Sequence, residues 1–185
     1  GNDPIWDGTG AGNEAIFLGN ELDPITSRSS YIKIYNQKIQ GYASFAIKLR
    51  RTSDNIGLYN LTVYDCSKTI AGPSIVLSDQ SYADSTVSRP IEIINHISDT
   101  SSGSALKIGV GPAIVHNAYI NNTEGGVRFT WGSGSVMRYI LCTNQSNNDE
   151  GILQIRCANS LIEDVRVYTG ELSVGIDITA PTEAL

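Results

Sequence analysis

Lys107 and Arg128 are the side chains with the clearest chemical promise. They occupy the same place in two successive repeats, GSALKIGVG and GGVRFTWG, and Lys48, Val76, Gln154 and Asp177 hold that place in other repeats. If the repeats stack as strands, the two backbones lie about 5 Å apart. Two cations at that spacing could act together on one anionic group. The rival constellation is acidic: Glu124, Glu150 and Glu171 each fall two to three residues before a strand, with Asp149 beside Glu150. Paired carboxylates can hydrolyse glycosides, about 5 Å apart for retention and about 6.5 to 9.5 Å for inversion. The same row could ligate calcium through oxygen. Both sets also have a plainer reading, because sheet surfaces collect cations and turns collect acids. Trp131, just after the Arg128 strand, would suit a sugar platform. Tyr35 and Tyr59 should stack on another wall, followed by Ile94 and His116. His96 and His116 are a weak metal pair.

The elements that must position these residues are set by a repeat. Residues 31–49, YIKIYNQKIQGYASFAIKL, read as three short strands with apolar residues on one face and a bend between each pair. Asn36 recurs as Asn60, Asn95 and Asn117, and Tyr139 and Asp164 take the same place, at intervals of 24, 35, 22, 22 and 25 residues. The long interval exceeds 24 by 11, the length of the polar loop at 78–88, SDQSYADSTVS. A second column of strands follows at 45–49, 74–77, 105–108, 127–129, 152–155 and 175–178, several of them preceded by glycine. The expected fold is all-β: a single-stranded parallel β-helix solenoid of about six to seven coils, 22–25 residues each. Stacked coils bury a face that none can bury alone. An inward column of Asn amides would bond backbone groups at the corner and one another along the axis. Residues 1–30 hold an irregular first coil and a loop, 31–178 the coils, and 179–185 a tail.

The xIxIxN, then I, then G, then IxL pattern resembles the right-handed parallel β-helix (pectate-lyase-like) superfamily, as in polysaccharide lyases and phage tailspikes. The resemblance covers about residues 31–178. It implies that the last strand of each coil lines a polysaccharide cleft. Lys107 and Arg128 would then bind the substrate carboxylate or act as base and acid in a β-elimination, sometimes with calcium. Lys48, Gln154, Asp177 and Trp131 would bind substrate, and Glu124 and Glu150 are the alternative catalytic pair. The resemblance also implies a secreted or extracellular protein, a monomer as a lyase or a homotrimer as a tailspike. The other class it allows is a non-catalytic structural or adhesive β-helix. The local sequences match no lyase catalytic motif.

Bulk properties agree. With 13 basic and 19 acidic residues the 185-residue chain carries −6, which argues against nucleic acid and anionic membranes as partners. No apolar run is long enough to span a membrane. Three cysteines, Cys66, Cys142 and Cys157, make no disulfide framework. Cys142 and Cys157 alternate with polar neighbours and read as small inward hydrophobes. Sequons occur at Asn60, Asn121 and Asn144, and an inward Asn60 would be a poor glycosylation site. The opening GNDPIWDG and the ending TAPTEAL suggest a piece of a longer protein, or a chain capped by neighbours.

Overall fold

A computed structural model describes residues 5–9, 14–18, 31–50, 55–66, 75–78, 86–109, 111–129, 134–145, 153–155, 159–169 and 175–178. The strands are β1 (Ile5–Asp7), β2 (Glu14–Leu18), β3 (Lys33–Tyr35), β4 (Lys38–Gln40), β5 (Phe45–Arg50), β6 (Gly57–Cys66) and β7 (Ile75–Ser78). They continue with β8 (Thr86–Gly109), β9 (Gly111–Phe129), β10 (Val136–Gln145), β11 (Leu153–Ile155), β12 (Leu161–Thr169) and β13 (Ile176–Ile178). Every pairing is parallel. The protein is an all-β parallel β-solenoid.

Three walls follow from the register. On the first, Ile34, Leu58, Ile93, Val115, Met137 and Ile162 stack in one inward column. On the second, the inward column is Trp6, Ile39, Val63, Ser98, Ile120, Cys142 and Val167. On the third it runs Ile16, Ile47, Ile75, Leu106 and Val127, and the backbone of Leu153 and then Ile176 continue the same register. The middle of each column is sealed: Leu58, Ile93, Ile39, Ile47, Ile75 and Leu106 are all fully buried. Alternation of apolar and polar residues, repeated at each level, therefore builds one continuous core.

The corner between the first and second walls is a conformational column. Asn36, Asn60, Asn95, Asn117, Tyr139 and Asp164 all have φ between 49° and 57°. Asn and Asp tolerate this left-handed backbone better than other side chains with a Cβ. One such residue turns the chain without breaking the ladder, so β6, β8, β9, β10 and β12 run through the corner as unbroken strands. The expected separate short strands are thus joined here. A second left-handed column, Tyr31, Asn55, Gly134 and Asn159, stands two residues before the first-wall strands. At two levels that position is Pro90 or Pro112, whose ring holds φ negative. Pro90 lies inside β8, which enters the first wall without a left-handed corner.

The asparagine ladder faces outward, which corrects the expectation of an inward one. Asn60 Nδ2 donates to Asn36 Oδ1, Asn95 to Asn60, and Asn117 to Asn95, each at 2.8 Å, and all four side chains are exposed. Backbone at the corner bonds to backbone of the next level, as Asn36 N does to Tyr59 O at 2.9 Å. The amides are therefore left to bond one another. Asn60 is exposed, and its amide nitrogen is engaged in the ladder. Of the loop expected at 78–88, Ser78 belongs to β7 and residues 86–88 to β8, while 79–85 lie outside the described residues.

Candidate functional site

On the third wall Lys48, Val76, Lys107, Arg128, Gln154 and Asp177 pair Cα to Cα in that order. Leu106 and Ile108, on either side of Lys107, are fully buried. That packing fixes which way the cations point. Lys107 and Arg128 are direct neighbours on adjacent strands. Lys107 is exposed and Arg128 half-buried. Among the described residues Lys107 makes no ion pair.

Lys48 is the buried cation of this column. It is 9% exposed, and its Nζ lies 4.6 Å from the centroid of the Phe45 ring. A cation over a ring face is held by the ring quadrupole. Asp177 is half-buried, two levels from Arg128 along the column. Gln154 pairs in register with Arg128, though its side chain lies outside the described residues. Trp131, Asp149, Glu150, Glu171 and Cys157 also lie outside them. Glu124 belongs to β9, with its side chain outside the described set.

The first wall carries a cluster that sequence reasoning missed. Lys33, Gly57 and Glu92 form one outward column. Gly57 has no side chain, and the Tyr59 ring folds over it: a Cβ there would stand 2.3 to 2.6 Å from the ring and hydroxyl. Tyr59 Oη reaches between its neighbours, accepting from Lys33 Nζ at 3.1 Å and donating to Glu92 Oε2. Lys33 and Glu92 also pair directly at 3.8 Å. Burial raises the Tyr59 pKa above the phenol range, and the Glu92 hydrogen bond and charge raise it further. The phenol therefore stays protonated and serves as a donor. Tyr35 stacks on Tyr59 with centroids 4.8 Å apart and planes 12° apart. The available signal was a glycine at an outward strand position between a Lys and a Glu, two residues before a Tyr.

The histidines do not converge. His96 points into the core and is 1% exposed, while His116 is on the outside, 5.2 Å from the Tyr139 ring centroid. Burial pushes the His96 pKa down to about 4, partly offset by the Leu61 backbone. Cys66 and Cys142 are buried thiols that form no disulfide, and burial pushes the Cys142 pKa up to about 12. Among the described residues no three His, Cys, Asp or Glu side chains are grouped to hold a metal ion. Nor does any helix among them have the length and apolarity to cross a membrane. No protein-family model, curated protein or solved structure matches the chain.

Proposed function

We propose that this chain is a carbohydrate-active β-helix of the right-handed, pectate-lyase-like kind that works outside the cell on an acidic polysaccharide, cleaving it by β-elimination. The carrying observation is the Lys107–Arg128 pair, adjacent on the outer face of the third wall and backed by a rigid core. Arg128 suits the sugar carboxylate, because a guanidinium offers a planar fork of donors. Lys107, exposed beside it, suits transfer of the proton at the sugar C5. Loss of that proton forms the C4–C5 double bond as the C4–O bond breaks, and the departing oxygen takes up a proton. Calcium, expected by resemblance, has no ligand set among the described residues, so no step runs through it.

The test is a depolymerisation screen on alginate, pectate, glycosaminoglycans and bacterial capsules, with and without a chelator. Ultraviolet absorbance of unsaturated products and reducing ends are followed separately. We expect absorbance that falls by about 100-fold or more in Lys107→Ala, the range for losing an acid–base group. Reducing ends without absorbance would replace elimination by hydrolysis and move the chemistry to Glu124 and Glu150. A second reading, a structural or adhesive β-helix with trimeric tailspike-like assembly, is favoured by one observation. The acid of the described outer column is Asp177, two levels and about 10 Å from Arg128. That suits glycan binding without cleavage, and binding without any product would select it.

A further inference from the structure

His96 and Ser98 interrupt the apolar interior at its middle. Both lie on β8 and enter the core from the second wall, His96 1% exposed and Ser98 fully buried. Neither ring nitrogen of His96 nor Oγ of Ser98 has a hydrogen-bond partner among the described residues. The residues in register with them are apolar: Leu61 and Ala118 beside His96, Val63 and Ile120 beside Ser98, with Ile140 next in the His96 column. A buried polar group without a partner costs stability, and a buried unpaired charge costs far more. This interior has no counter-ion for such a charge. Among the described residues no Asp or Glu is buried, and the ionisable groups buried with His96 are Lys48, Cys66 and Cys142. Lys48 is itself a cation, on β5, two pairings from β8. Cys66, on β6, is in register with Ser101, and Cys142, on β10, stands two levels from Ser98. The other ionisable groups described on β6, β9 and β10 are not buried. On β8 itself, Glu92 is held outside by Lys33 and Tyr59, and Asp99 accepts from Asn121 Nδ2 at 3.0 Å.

We propose that His96 is an acid-sensitive latch: as pH falls the solenoid opens first in its middle, where β8 rounds the corner at residues 95–98, while the outer levels still hold. The ring meets solvent protons only when that corner is open, and once charged it has no partner inside to return to. Levels of a solenoid touch only their neighbours, so the penalty falls on the β8 level and its interfaces with β6 and β9. The unfolded or opened chain binds a proton on this residue below about 6.5, and the closed fold resists until about 4. The closed level therefore loses stability as pH drops between those two values. One residue thus shifts the weak point of the fold from the ends toward the centre. β8 and β9 also carry Lys107 and Arg128, so the opening reaches strands of the third wall. The latch itself is independent of what that wall binds.

Hydrogen exchange of the whole chain at pH 7 and pH 5, with intrinsic exchange rates divided out, tests it. With pKa values of 6.5 open and about 4 closed, the opened level gains about 20-fold on the closed one between the two conditions. We expect protection to fall by about that factor in β8 around residues 95–98 and in the paired stretches of β6 and β9, and to fall less in β1, β12 and β13. His96→Leu should abolish the local loss, and His116→Gln, on the outside, should leave it in place. The wild-type protein gives a second reading without any substitution, through NMR titration of the His96 ring. A ring that takes up its proton above pH 6 while β8 keeps its protection overturns the proposal. So does a loss at pH 5 that is even along the axis or largest at the ends.

Discussion

His96 is the residue whose environment makes the firmest demand. It follows a ladder asparagine, and the corner turns its ring into the core, in column with Leu61, Ala118 and Ile140. Buried there with its pKa pushed down to about 4, it is neutral at pH 7. The unfolded chain binds a proton on this residue below about 6.5, whereas the fold resists until about 4. Stability therefore falls as pH drops through that window, by about 3 kcal/mol for this group. Denaturant titrations at pH 7 and pH 4.5, compared between wild type and His96→Leu, isolate the effect. The variant should lose less stability between the two pH values. Equal losses would mean that the ring is hydrated or protonated in the native state. Asp7 acts in the same direction in both proteins: hydrogen bonds from Thr9 and Gln40 lower its pKa, so its contribution is present above the ordinary carboxylate range and fades as pH falls.

At the scale of the element, the corner column is the device to test. Asn95 accepts from Asn117, donates to Asn60, and holds φ at 56°. Asn95→Ala removes both amide bonds and forces a Cβ-bearing, non-bonding residue into the left-handed region, with an expected cost of about 3 kcal/mol. Asn95→Gly loses the same bonds without the strain and should cost clearly less. Thermal or denaturant unfolding of the two variants separates hydrogen bonding from backbone strain. The asparagine spacing was legible in the sequence, as was the order of the third-wall column from Lys48 to Asp177. Both follow from a two-residue alternation and a recurring corner. The direction of the ladder was not legible, because it depends on the sign of φ and residue type only hints at that. Tyr139 and Asp164 make the point: they keep the conformation, at φ 54° and 49°, without the amide. The burial of Lys48 was not legible for a related reason. Alternation says which side of the sheet a residue leaves, whereas burial at 9% depends on what lies over it. The Lys33–Tyr59–Glu92 cluster needed the fold of a ring over Gly57, a side-chain direction that spacing does not encode.

For the whole molecule, stability should be graded along the axis. Among the described strands, β6, β8, β9 and β10 have partners on both sides, whereas β12 pairs with β10 alone and β13 with β11 alone. Inward residues at that end are correspondingly open: Ile176 is 48% exposed and Ile178 68%. Hydrogen exchange should be slowest for amides of β6, β8 and β9 and fastest for β1, β12 and β13. Uniform protection from end to end would show instead that the solenoid opens as one cooperative unit. The ladder bears on a different matter. Its three bonds run one way, the amide nitrogens of Asn60, Asn95 and Asn117 each giving to the oxygen of the level before, with φ of 55°, 55°, 56° and 57° at the four asparagines. Every such level thus presents the same socket and the same plug. A gene that duplicates or deletes one whole turn rejoins cleanly, while an indel of a few residues inside a wall jams the register, so the molecule can evolve in length as a ruler does, by whole divisions.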